Sequence, residues 1–210
     1  MQTKKEYQKE EILNTISHAI GFILAIIGLL LLVQKNSYKS EFATISILVY
    51  CGTLISMFAV STLYHNSKIV AVRNKLRILD HINIYFLIAG TYTPVALITL
   101  VHGNGWTIFY TVWIIAIFGT FFKLFYTGKL EFFSLLLYAV MGWLIVLDYD
   151  NLINSIPDLG FQLLVLGGVF YTVGIVFYAM RRIPYNHFIW HLFVLGGAIS
   201  HWLMIYLTVV

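Results

Sequence analysis

Most charged residues in this chain lie in or at the edges of short gaps between apolar runs about as long as a bilayer is thick, and that spacing fixes the class of fold. Roughly 20 apolar residues make an α-helix that crosses the hydrocarbon core. Inside lipid only helices and closed barrels satisfy their own backbone groups, and continuous runs of this length are helical. The runs lie near 15–34, 41–64, 78–101, 105–123, 130–148, 159–180 and 186–208, which predicts an all-α, polytopic bundle of seven transmembrane helices. Composition agrees: 10% of residues are charged and mean hydropathy is +0.86, whereas about 25% of residues are charged in soluble domains. After seven spans, 210 residues leave no room for a separate soluble domain.

Charge sorts the gaps into two sets. Lys4, Lys5 and Lys9 precede the first run. Lys68, Arg73, Lys75 and Arg77 lie between the second and third, Lys123 and Lys129 between the fourth and fifth, and Arg181 and Arg182 between the sixth and seventh. The alternate gaps hold only Lys35 and Lys39, and one of them gathers Asp148, Asp150 and Asp158. Because cytoplasmic loops carry the Lys/Arg excess, the pattern predicts a cytoplasmic N-terminus and an outer C-terminus; six or eight spans would break the alternation. Residues 1–14 are then a cytoplasmic N-terminal segment and 15–210 the membrane domain. Met1–Glu11 is polar and leads into a full-length run with no small-residue cleavage site, so no removable signal is expected. A short interfacial helix around Tyr7 is one reading of that segment. Cys51 is the only cysteine, which excludes an intramolecular disulfide and a thiolate metal cluster. The net charge of +4 suits loops facing anionic lipid and calls for no nucleic acid.

Within the seventh run stand His187, His191 and His201. Ionisable groups in hydrocarbon are costly and ask for a function. His187 and His191 are four residues apart, which places both rings on one helix face. The predicted topology puts them in the first turns of a span that starts inside. It puts His65 at the inner end of the second span and Asp80 about one turn into the third. Four groups from three helices thus share one depth. The chemistry that fits is zinc held by His65, His187 and His191, with water in an open fourth position, the ligand count of a catalytic site. Asp80 is placed to hold or deprotonate that water, and Ser61, one turn before His65, to donate to a ligand or to the bound species. The alternatives are a histidine hydrogen-bonded at a helix end and a carboxylate that balances the basic loop after the second run. All-imidazole ligation disfavours magnesium and calcium.

Other polar residues carry weaker signals. Glu11, Asn14 and His18 share a face at the start of the first helix, as a surround to the site, a substrate gate or a capping network. His201 lies ten residues beyond His191, about 15 Å along a helix, too far for the same metal. It is expected to be a buried hydrogen-bonding residue. His81 points away from Asp80, and His102 sits in an outer loop. Pro94 predicts a kink, with Thr91 and Thr93 satisfying freed carbonyls, and room for a lipid chain above the polar site. Gly167-Gly168 and Gly196-Gly197 predict close helix packing.

Glu11-x-x-Asn14-x-x-x-His18, Ser61-x-x-x-His65, Asp80 with Ala89-Gly90-Thr91-Tyr92-Thr93-Pro94, and His187-x-x-x-His191 with His201 together resemble the hemolysin III family, the bacterial branch of the progestin and adiponectin receptor family. The resemblance covers nearly the whole chain. It implies seven helices with the N-terminus in the cytoplasm of a cell-membrane protein, zinc at His65, His187 and His191, and Asp80 beside the zinc-bound water. It also implies hydrolysis of a lipid amide or ester, or a part in membrane lipid homeostasis, with membrane lipids as partners. Two other classes stay open: a receptor-like sensor with structural zinc, and a pore or transporter using His18, His65 and Asp80.

Overall fold

The computed structural model describes residues 3–180 and 182–210. Met1, Gln2 and Arg181, the last counted above among the inner cations, lie outside the described residues. The described residues form eight α-helices: α1 Lys4–Lys35, α2 Ala43–Asn66, α3 Val70–Pro94, α4 Gly105–Tyr126, α5 Glu131–Gly142, α6 Tyr149–Ser155, α7 Asp158–Ala179 and α8 Asn186–Met204. A 3₁₀ segment over Leu144–Asp148 joins α5 to α6, and π-helical turns over Val95–Thr99 and Ile205–Val209 extend α3 and α8. Among the described residues there is no strand, and seven helical segments are long and apolar enough to cross a membrane, with α5 through α6 counting as one. The protein is a multi-pass integral membrane bundle.

Helix starts differ from the hydropathy-based bounds where charge hides a helix. α1 begins eleven residues before its apolar run, because Thr3 caps it. The Thr3 hydroxyl accepts from the Glu6 N–H at 3.2 Å, and the Glu6 carboxylate accepts from the Thr3 N–H at 2.7 Å, a reciprocal capping box. The turns around Tyr7 are therefore the beginning of α1 and not a separate interfacial helix. α3 likewise starts at Val70, ahead of its basic residues. The fifth run breaks into α5, the 3₁₀ segment and α6, where a single helix over 130–148 was expected.

α3 lies at the centre, with 78% of its apolar window buried against 17% for α7. α1 packs on both α2 and α8, α2 on α3, and α7 on α8, whereas α5 and α7 meet only sparsely. α1 turns inward Glu10, Asn14, Ser17, His18, Gly21, Ala25, Gly28 and Leu32, a stripe at three- and four-residue intervals. Its first half is polar and its second apolar. Polar chemistry therefore concentrates at the end of the bundle where the N-terminus and most Lys and Arg lie, termed here the basic end.

Three local expectations change. Thr91 and Thr93 donate to the Leu87 and Ala89 carbonyls at 2.7 and 2.9 Å. These are their own i−4 carbonyls, not that of Gly90, which Pro94 leaves without its helical partner. α3 runs regularly up to Pro94 and widens into the π turn after it. Lys123 is no loop residue: its side chain is wholly buried in α4, and its ammonium meets the Glu131 carboxylate at 3.1 Å. The Gly167–Gly168 pair divides, since Gly167 faces the His201 ring and Gly168 faces Trp143.

Candidate metal centre

Three imidazoles converge at the basic end. One nitrogen from each of His65 on α2 and His187 and His191 on α8 lies within 4.8 Å of the others. The ring centroids are 5.0 Å apart for His65–His187 and 4.8 Å for both His65–His191 and His187–His191. The i,i+4 spacing on α8 supplies two rings from one face, and the last turn of α2 supplies the third.

Hydrogen bonds set which nitrogen two of the rings, His65 and His191, present. His65 Nδ1 lies 3.2 Å from Glu11 Oε2, an acceptor, so Nδ1 carries the proton. Nε2 keeps its lone pair, and this atom is buried with no hydrogen-bond partner. The Asn14 amide lies 3.4 Å from the same Nδ1, while Asn14 Oδ1 has no partner. Turning that amide over would give Nδ1–H a second acceptor. Ser17 spends its only hydroxyl proton on the Asn14 carbonyl at 3.0 Å, so towards His191 Nδ1, 3.4 Å away, it accepts. His191 then also has Nε2 free. Rings whose far nitrogens are held this way are prepared to ligate a metal. A buried imidazole nitrogen without a partner costs about 1–3 kcal/mol unless something fills it. The donor set, three neutral nitrogens with no thiolate and no crowding carboxylate, suits zinc with one position open.

Asp80 and Ser61 belong to the same place. Both are buried and lie near enough to interact with each other, Asp80 Oδ1 and Ser61 Oγ make no hydrogen bond of good geometry, and both line a cavity of about 20 Å³ with His18, His187 and His191. That volume holds a water-sized occupant. Polar groups without a well-formed hydrogen bond, gathered round one small void, are the signature of a site that binds something polar.

His18 takes a position that sequence spacing did not specify. Its ring stacks on His191 at 3.6 Å between centroids and 14° between planes, with both nitrogens buried and without partners. Parallel rings aim their lone pairs in parallel, so His18 sits beside the ligand set and not in it. His81 approaches Glu131 at 3.7 Å and joins the cavity's opposite wall with Tyr138. His201 stands apart, its Nε2 3.1 Å from the Leu164 carbonyl, and His102 is exposed in the turn between α3 and α4.

Two contributors were missed in the sequence. Arg73, counted only as a loop cation, binds Glu11 at 2.6 Å and reaches the Tyr64, His65 and Ser67 carbonyls at 3.2–3.4 Å. Glu10 accepts from the backbone N–H of His187 at 3.0 Å. One signal pointed to Glu10: it precedes Asn14 by one helical turn. At the start of α8 the sequence offers Asn186 as a cap, but the structure turns its amide to the Phe177 and Tyr178 carbonyls, and Tyr185 in a left-handed conformation offers no side-chain cap.

An apolar cavity of about 80 Å³ adjoins the polar one, the two sharing Met57, Ile84, Tyr138 and Trp190. It rises between α3, α5, α7 and α8 as far as His201. A polar centre with an apolar annexe is what a molecule with a polar head and a hydrocarbon tail would occupy.

The chain is similar to known proteins over nearly its whole length. The chain is 41% identical over 199 residues to Hemolysin-3 of Bacillus cereus, covering 94% of this chain and 91% of that one. It is 40% identical over 191 residues to the Hemolysin-3 homolog of Bacillus subtilis (strain 168), 90% of each chain. The monocyte to macrophage differentiation factor of Homo sapiens is 30% identical over 203 residues, 94% of this chain and 83% of that one. The sequence profile described as Haemolysin-III related matches residues 6–202, a span that takes in every residue of the centre, and the chain belongs to this family.

Proposed function

We propose that this protein is a zinc-dependent intramembrane hydrolase acting on a lipid amide or ester, with its basic end in the cytoplasm. The observation that carries the reading is the placing of Asp80 and Ser61 in one buried cavity with the imidazoles, next to an apolar cavity. A centre that served only to tie helices together would need neither the carboxylate nor the annexe.

His65, His187 and His191 would hold the metal. Bound zinc supplies Lewis acidity towards a carbonyl and lowers the pKa of water to about 7. Asp80 accepts the proton of the attacking water and returns it to the leaving group, as a buried carboxylate on the cavity wall can. Ser61 donates its hydroxyl proton to the developing oxyanion or orients the water. The apolar cavity takes the acyl chain and excludes bulk water from the reaction. Sparse packing between α5 and α7 gives such a chain a way in from the bilayer.

The test is detergent-purified, zinc-loaded protein incubated with a panel of N-acyl and O-acyl lipids, beside Asp80→Asn. Release of free fatty acid by the wild type and its loss in a variant that still holds zinc supports hydrolysis. A zinc-loaded wild type that cleaves nothing across the panel sinks it.

A further inference from the structure

We infer that Glu10 and Glu11 of α1, with Arg73 behind Glu11, are positioning residues that set the metal affinity of the His65–His187–His191 triad. The inference rests on the metal reading above and concerns who holds the ligands in place. The three ligands come from α2 and α8, and these two helices make little direct backbone contact, whereas α1 packs against both. The triad is thus assembled across a third helix that contributes no ligand.

Successive residues on a helix point about 100° apart, so adjacent carboxylates reach different neighbours. Glu11 turns towards α2, where Oε2 lies 3.2 Å from His65 Nδ1. Glu10 turns towards α8, where Oε1 accepts from the His187 N–H at 3.0 Å. The first turn of α8 has no capping side chain of its own, so Glu10 supplies a cap from outside the helix and favours its positive end.

Arg73 makes the Glu11 contact rigid. Its Nη2 meets Glu11 Oε2 at 2.6 Å, and its Nη1 is spread over three carbonyls at the end of α2, including that of His65 itself. The guanidinium also lies 4.6 Å over the Tyr64 ring. The carboxylate that orients His65 is therefore held by a cation anchored to the same turn as His65. A carboxylate behind a ligating imidazole fixes its tautomer and strengthens its electron donation, and losing such a partner typically weakens metal binding 10–100-fold.

The experiment is zinc affinity by competition with a chromophoric chelator, together with the visible spectrum of the cobalt-loaded protein, for wild type, Glu11→Ala, Glu11→Gln and Glu10→Gln. Glu11→Ala is expected to bind zinc about 10–100-fold more weakly with an altered cobalt spectrum. Glu11→Gln should recover part of the affinity, because its amide oxygen still accepts from Nδ1–H without the charge. Glu10→Gln should weaken binding less, since an amide oxygen can still cap α8. A merely structural Glu11 would lower the thermal stability of the metal-free protein and leave affinity and spectrum unchanged; that result overturns the inference. Should Glu11→Ala fail to fold, Glu11→Gln carries the same comparison. A wild type that holds no stoichiometric metal overturns the metal reading as well, whereas Glu11 variants matching a zinc-loaded wild type overturn this inference alone.

Discussion

On the proposed hydrolytic reading, Asp80 is the residue on which the chemistry turns. Its Oδ1 makes no hydrogen bond of good geometry in a buried cavity, so a substitution that keeps its shape and removes its charge separates binding from turnover. Asp80→Asn is expected to retain zinc within a few-fold and to lose about 10²–10⁴ in rate, the usual worth of a general base; metal analysis beside fatty-acid release checks both halves. His187→Ala should instead lose the metal, visible as a fall from one zinc per chain in the purified protein. Both residues were legible in the sequence because ionisable groups in hydrocarbon stand out, and because i,i+4 spacing is a property of one helix. His18 was legible as a candidate, but not its stacking on His191. Glu10 and Arg73 were missed, because their partners lie on other helices and a charge at a helix end looks like ordinary loop polarity.

At the scale of elements, α7 meets α8 along glycine. Gly160, Gly167 and Gly174 recur every seven residues, all buried, and a Cβ at each would run into Thr208, His201 or Trp190 of α8 and its π turn. Small residues at such a seam let backbones approach where lipid offers no hydrophobic drive. Gly167→Ala should cost about 1–3 kcal/mol by overpacking, read as a lower thermal midpoint in detergent. Gly52→Ala, on α2 with open space around its would-be Cβ, should hold or slightly raise that midpoint, since alanine is the better helix former. The sequence pairs Gly167 with Gly168, but the packing unit is the seven-residue repeat, which brings one residue of each pair of turns to the same face. The seven membrane-length segments were readable from hydropathy, but the break in the fifth and the separate α6 were not. Nor were the bounds of α1 and α3, because a hydropathy window cannot see a helix made of lysine and glutamate.

For the whole molecule, the charge asymmetry of the turns predicts an orientation that labelling can test. With Cys51 replaced by Ala, a cysteine at Ser37 in the turn after α1 should react with a membrane-impermeant maleimide on intact cells. One at Lys129, in the turn after α4, should react only after permeabilisation. The reverse pattern would turn the protein over in the membrane and place the metal centre outside. Both positions are exposed, so lack of reaction reports the membrane and not burial. Lys35 and Lys39, the two cations that the charge count leaves at the far end, have structural employment. Lys35 donates to the Tyr206 carbonyl, and Lys39 to those of Val209 and Val210 at 3.2 and 3.4 Å, where the negative end of α8 favours them.

That grip has a consequence for biosynthesis. The turn after the first helix is made early and waits for carbonyls that are made last, just as Glu10 and His65 wait for His187 and His191. A chain still on the ribosome before α8 has one imidazole of three and neither latch. On the metal reading, the centre forms only when α8 joins α1 and α2, and metal occupancy would report that α8 has been inserted.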